Sequence, residues 1–187
     1  MEDIIRISKV KSEEYELVLQ FVQKYYDRAY GTSPQDLLNV CFAAWRGNTI
    51  LGAIGLEISQ NGELLEVENF FDLQEWFLHE SRNETVNFGR WASIEAVSGK
   101  ALAFRAVEYS LVELGKKFAI AVSKPRVLRY IRKAYGLKFS SFHVPLRKLE
   151  GVKFFWDGPD PVMYTWKLED WYLTLGKDIP TSIHFDR

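Results

Sequence analysis

The chain has 187 residues, 47% of them hydrophobic and 15% aromatic, which is enough apolar material for one domain burying roughly 70% of its unfolded surface and excludes a disordered chain. A net charge of −1 gives no global pull toward nucleic acid or membrane. The lone cysteine, Cys41, excludes an internal disulfide framework and fits a reducing compartment.

Residues Asp3 to Lys9 alternate as a first strand, and the N-terminal MEDIIRISKV, charged on both sides of a short apolar run, is unlike a signal peptide. Ser12 followed by Glu13 and Glu14 reads as a helix cap with acids in the first turn. Tyr15, Val18, Leu19, Phe21, Val22 and Tyr26 then recur at helical spacing up to Gly31. A short helical turn fits Gln35 to Leu38. Val40 to Trp45 and Thr49 to Ser59 read as a hairpin around Arg46-Gly47-Asn48. Leu64 to Phe71 reads as a strand, Leu73 to His79 as an aromatic-rich helix, and Thr85 to Ala96 as a long strand.

That strand runs into GRWASIEAVSGKALAFRA, Gly89 to Ala106, where Gly99 and a helix start at Lys100-Ala101 follow directly. Leu102, Ala106, Val107, Leu111 and Leu114 give the helix an apolar stripe. Phe118 to Val122 is a buried strand, and Pro125 opens a helix that ends at Gly136. Leu137 to Val144 and Val162 to Trp171 complete the strands. No segment reaches the ~20 apolar residues of a membrane helix, and no repeat or long linker divides the chain. The expectation is one cytoplasmic domain over residues 1–187. Strands alternating with helices in the second half predict a mixed α/β sheet rather than a sandwich.

Charge is uneven. Glu63 to Glu84 holds seven acidic residues and one basic one, whereas Gly115 to Leu149 holds ten basic residues and no acidic one. Arg126, Arg129 and Lys133 fall at i, i+3 and i+7 on one face of the helix beyond Pro125. They are either a solvated face or a docking site for something anionic.

The element order, with a glycine turn between a long strand and a helix, resembles the GNAT-like N-acyltransferase superfamily from Ile4 to about Leu173. The resemblance implies a mostly antiparallel mixed sheet with splayed strands, flanked by helices. The superfamily's strand-to-helix loop, [QR]-x-x-G-x-[GA], corresponds to Ala96-Val97-Ser98-Gly99-Lys100-Ala101, with alanine at the polar position. Residues Val97 to Ala101 are thereby implied to cradle the donor's phosphates, as a helix N-terminus suits anions. VNFGRWAS, Val86 to Ser93, is similar to the E-x-G-N-L-A-S segment of the family named after thermostable hemolysin. It is also similar to the E-x-x-R stretch of autoinducer synthases and long-chain N-acyl amino acid synthases. Asn87 stands at the glutamate, and Arg90 matches the synthase arginine. FFWDGPDPVMYTW, Phe154 to Trp166, is similar to the hemolysin-like ending. Arg132 stands where many acetyltransferases place a tyrosine acid.

The resemblance implies acyl transfer from the phosphopantetheine thioester of an acyl carrier protein or coenzyme A to the amine of a small molecule. No tightly bound cofactor is expected, and nucleic acid is not an expected partner. Backbone groups from Arg90 to Glu95, including those of Ala92 and Ser93, are implied to pair with the pantetheine amides and support the oxyanion. Glu95 is the first candidate base, followed by Glu66 and Glu68. Arg90 is the candidate for binding an acceptor carboxylate or a donor oxygen. The basic face of Arg126, Arg129 and Lys133 suits an acidic carrier protein. Trp91, Phe154, Phe155 and Trp156 are candidates for an acyl slot.

The histidines His79, His143 and His184 lack ligand-like spacing, so no metal site is expected. Cys41 reads as a buried, inert thiol. The alternative is a catalytically silent module that keeps the fold and binds a ligand. An enzyme leaves a continuous cleft near Ala92 and Val122 lined by a carboxylate, whereas a silent module shows that cleft plugged by side chains such as Trp91.

Overall fold

The computed structural model describes residues 4–31, 33–59, 63, 65–69, 71, 73, 82–142 and 162–186. Strand β1 (Ile5–Lys9) turns Ile5 and Ile7 inward, and helix α1 (Tyr15–Tyr30) buries Val18, Leu19 and Val22. The helix starts later than Ser12 predicts. Glu14 holds the cap position, and its carboxylate accepts the Lys11 N–H at 3.0 Å. Gly31 ends it as expected, at φ 67°.

The hairpin of β2 (Val40–Arg46) and β3 (Thr49–Ile58) follows, then β4 (Thr85–Ser93). Helix α2 (Ala96–Glu108) continues into a π-helical turn at Tyr109–Glu113. Next come β5 (Phe118–Ser123), α3 (Pro125–Tyr135), β6 (Ser140–Phe142), β7 (Val162–Lys167), α4 (Leu168–Leu175) and β8 (Ile183–Phe185). Eight strands form one sheet in the order β6-β7-β5-β4-β3-β2-β1-β8, antiparallel except where β4 meets β5 and β1 meets β8.

Several expected elements are corrected. Gln35 to Leu38 is irregular rather than helical. In the expected strand Leu64 to Phe71, the Glu68 carboxylate folds back onto the Leu65 N–H at 2.9 Å and winds Glu66–Asn69 into a 3-10 turn. The strand expected through Trp171 ends at Lys167. Glu169 and Asp170 then occupy the first turn of α4, where acids favour a helix N-terminus. Helix α2 begins at Ala96, ahead of the expected Lys100. Residues 74–79 of the expected aromatic helix, including His79, lie outside the described residues, as do His143, Phe154, Phe155 and Trp156.

The sheet is covered on both faces. Ala101, Leu102, Ala106 and Val107 of α2 pack with Leu168, Trp171 and Leu175 of α4 against Ile54, Leu56, Val86 and Phe88. Opposite them, Val18, Leu19 and Val22 pack on Cys41, Ala43, Trp45 and Ala53. Strand β4 pairs with β3 from Val86 to Ser93 around one bulge, where Arg90 and Trp91 oppose the single residue Ile54 and Arg90 takes φ 53°. Against β5 it pairs only at Thr85, Val86 and Asn87.

Candidate active site in the sheet opening

Beyond Asn87 and Ile120 the strands β4 and β5 are no longer paired, and a cavity of about 400 Å³ lies beside them. Phe88, Trp91 and Ser93 form the β4 wall, with Val122 and Ser123 facing them from β5. Tyr25, Tyr26 and Tyr30 project from α1, and Arg126, Tyr130 and Tyr135 from α3. Tyr164 and Trp166 of β7 close the far side, stacked on each other at 5.3 Å. Trp166 also stacks on Trp171 at 4.1 Å and meets Phe88 edge-on at 5.2 Å, so its ring is clamped. Its buried indole N–H has no hydrogen-bond partner among the described residues.

This lining is aromatic and hydroxylic, and none of the described lining residues is acidic. Burial raises the pKa of Tyr26, Tyr135 and Tyr164, so their hydroxyls stay protonated and neutral. The cavity reaches Val122, as expected of the cleft, but not Ala92, and no carboxylate stands in its wall among the described residues. Trp91 is part of the wall, stacked on Tyr135 at 5.7 Å.

The acidic candidates lie outside the cavity. Glu95 is held by both guanidinium nitrogens of Arg46, at 2.8 and 2.9 Å. Glu68 is buried and clamped by Arg82 at 2.6 Å. Glu66 pairs with Arg90 at 3.0 Å. The bulge turns Arg90 so that its side chain, 10% exposed, also bonds the Asp36 carbonyl at 3.1 Å and the Asp36 carboxylate at 3.0 Å.

Glu57, which sequence reasoning missed, joins this group. It lies opposite Asn87 across β3 and β4, accepts the Asn87 amide at 2.9 Å, and accepts the Glu66 N–H at 2.7 and 2.8 Å. Burial holds Glu57 above the usual carboxylate range, against the pull of its hydrogen bonds from Asn87 and the Glu66 N–H. Tyr26 couples the group to the cavity, since it lines the cavity while feeling the charges of Arg90 and Glu66.

At the head of α2, Val97 is exposed, Ser98 and Gly99 are buried, and Ala101 packs in the core. Ser93 Oγ and Ser98 Oγ lie 2.8 Å apart, and each donates to the Glu95 carbonyl, at 2.7 and 2.9 Å. Lys100 reaches Asp178 at 3.5 Å. Ala92 is buried in β4 opposite Ala53.

On α3, Arg129 and Lys133 are exposed, whereas Arg126 donates to the Ala29 carbonyl at 3.0 Å with its guanidinium 5.5 Å over the Tyr30 ring. The structure thus places Arg126 and Ser93 in the cavity wall together, and leaves Glu95, Arg90, Arg129 and Lys133 outside it. The signal for the tyrosine lining was available. Tyr25, Tyr26 and Tyr30 crowd one end of α1, while Tyr130 and Tyr135 recur along α3, a density of hydroxylated rings that a plain core does not need.

Cys41 is buried, and burial pushes its thiol up to about 12. Among the described residues no cluster of His, Cys, Asp and Glu could hold a metal ion, and no helix is long and apolar enough to cross a membrane.

No protein-family model matches the chain, and no curated protein is similar to it in sequence. Solved structures are similar in shape. The AHL synthase LasI superposes with a TM-score of 0.58 at 11% identity, covering 95% of this chain and 96% of its own. FeeM, an N-acyl amino acid synthase from uncultured soil microbes, gives 0.58 at 13% identity over 91% and 95%. A spermidine N-acetyltransferase from Vibrio cholerae in complex with CoA and spermine gives 0.56 at 10% identity over 89% and 97%. The chain has the GNAT-like fold.

Proposed function

We propose that the protein is an N-acyltransferase that moves an acyl group from a phosphopantetheine thioester to the amine of a small molecule. The observation that carries this reading is the unpaired stretch of β4 beside the 400 Å³ cavity. Among the described residues, backbone groups on that edge have no strand partner, and an extended arm with two amides satisfies them as a strand would. The acyl chain then lies among Phe88, Trp91 and Trp166.

The acceptor ammonium first gives up a proton to solvent water. The neutral amine then attacks the thioester carbonyl and forms the C–N bond. Collapse of the tetrahedral adduct breaks C–S, and the proton shed by nitrogen passes through water to the thiolate, which leaves as the thiol. A β4 N–H and neutral tyrosine hydroxyls are the donors available to the oxyanion. The acceptor approaches on the α1 side, where Asp36, Glu57 and Glu66 outnumber the single guanidinium of Arg90 and favour a positively charged amine. In this scheme Arg90 orients that acidic group rather than reacting. An acidic acyl carrier protein or coenzyme A is the donor, attracted by Arg126, Arg129 and Lys133.

The absence of a carboxylate from the described cavity wall favours a second reading, a silent module that binds a thioester without turning it over. Thiol release from an acyl-loaded carrier protein or acyl-CoA, measured with and without a panel of amines, separates the two. Amine-dependent release with an amide product identified by mass sustains the enzyme. Saturable binding without release identifies the silent module.

A further inference from the structure

Strands β4 and β5 diverge beyond Asn87, and Phe88 is the first β4 side chain to line the space between them. Trp166 of β7 meets Phe88 edge-on at 5.2 Å, so the two rings stand together at the narrow end of the cavity. Core lies behind Trp166. Trp171 stacks on it at 4.1 Å with planes 16° apart, and Leu168 and Leu175 of the same helix are fully buried. The Trp171 indole N–H donates to the Lys138 carbonyl at 2.7 Å, which makes the backing rigid.

An indole at this position carries a cost. Its buried N–H has no partner among the described residues, and an unsatisfied buried donor lowers stability. A phenylalanine would keep a ring in the stack without that cost. The larger ring is therefore explained by its reach into the cavity rather than by packing, since such local conflicts are kept at sites that serve function.

The open end of the same wall is at Ser93. From Ser93 to Phe88 the strand advances five residues, about 17 Å at the rise of an extended chain. An extended chain covers roughly 1.2 Å per bond, so this length takes about 14 bonds. The segment from the last amide of a pantetheine arm to the thioester carbonyl uses about four of them, which leaves about ten for the acyl group.

We propose that Trp166 is the chain-length stop of the acyl slot, so that the protein takes fatty acyl groups of up to about ten carbons and excludes longer ones. The inference rests on the acyl-transfer reading and names the acyl class that this reading leaves open.

S-acyl-pantetheines from butanoyl to hexadecanoyl in even steps, titrated calorimetrically below their micelle concentrations and without an acceptor amine, test it. Affinity for the wild type should rise by up to about fourfold per methylene as apolar surface leaves water, then level off or fall beyond about decanoyl. Trp166→Ala should move that break at least one step along the series. Affinity that climbs unbroken to hexadecanoyl in the wild type, or a break that stays in place in Trp166→Ala, overturns the stop and leaves acyl transfer standing. Affinity that ignores chain length altogether also overturns it, because the chain then lies outside the cavity. If no member of the series binds either protein, the acyl-transfer reading falls and takes this inference with it.

Because Trp166→Ala empties a stack in the core, Trp166→Phe is the second variant. It keeps a ring beside Trp171 and removes the orphan donor, so it should fold. Its shorter ring should raise the ratio of dodecanoyl to decanoyl affinity about fourfold, the effect of one more buried methylene. An unchanged ratio in the folded Trp166→Phe protein overturns the proposal.

Discussion

The two edges of β4 are treated differently. Toward β3 it is paired from Val86 to Ser93, and the bulge at Arg90 and Trp91 is held from outside by an ion-paired side chain. Toward β5 it pairs at only three residues, and an aromatic cavity borders the rest. A strand fully paired on one edge can afford to be empty on the other, because its position is already fixed. The closed edge should therefore govern stability, and the open edge ligand binding.

The strongest way to break that division is at Gly52. A Cβ there would lie 2.8 Å from both the Ala92 carbonyl oxygen and Leu102 Cδ1, and 3.2 Å from Ser93 Cα. Neither backbone contact can move without disturbing β4, so Gly52→Val should cost about 3 kcal/mol or leave the protein unfolded. Urea melts that match the wild type would show that the β3–β4 interface is looser than its geometry. Arg90→Met comes next. Removing one partner of a fully buried pair costs about 3–5 kcal/mol, but Asp36 is 62% exposed and Glu66 34%, so water recovers much of the loss. About 2 kcal/mol is expected. A loss below about 0.5 kcal/mol would mean that the bulge is held by backbone pairing alone.

Much of the fold was legible because hydrophobic period and helix punctuation act locally. Gly31, Pro125 and Gly136 mark the ends of α1 and α3 as their chemistry requires. The elements that were misread depend on contacts distant in sequence, or on one side chain folding back. Glu68 turned an apparent strand into a 3-10 turn, and β8 is a strand only because β1 offers it a parallel partner. The site was less legible for the same reason. Nothing local says that Glu95 is claimed by Arg46, 49 residues away, or that Glu57 faces Asn87 across the sheet.

Glu57 sharpens the comparison through pH. Its folded-state pKa is raised by burial, so the folded protein binds this proton more tightly than the unfolded chain. Stability tied to the group is fully present below the unfolded carboxylate pKa of about 4.3 and is lost as pH rises through the higher folded value. Glu57→Gln removes that dependence. From about pH 4 to about pH 7 the melting temperature of the variant should gain on that of the wild type. Parallel curves would mean that Asn87 and the Glu66 N–H fully offset the burial.

The smallest stability effect belongs to the open side. Arg129 and Lys133 are exposed on α3, and exposed substitutions away from special features usually change stability by no more than about 0.5 kcal/mol. Arg126 differs from them because it bonds Ala29 and covers Tyr30, so its loss would disturb the cavity as well as the charge. Arg129→Glu with Lys133→Glu is therefore the cleaner probe of attraction. If α3 guides an acidic carrier protein, the double variant should lower the association rate about tenfold at low salt and leave dissociation nearly unchanged, since rim charges act mainly on encounter. Raising the salt should bring the wild-type rate down toward the variant's, as screening removes the same attraction. Stopped-flow association with a fluorescent carrier protein at two ionic strengths reads both effects. Salt-independent rates, equal in wild type and variant, would reduce these two cations to an ordinary solvated helix face.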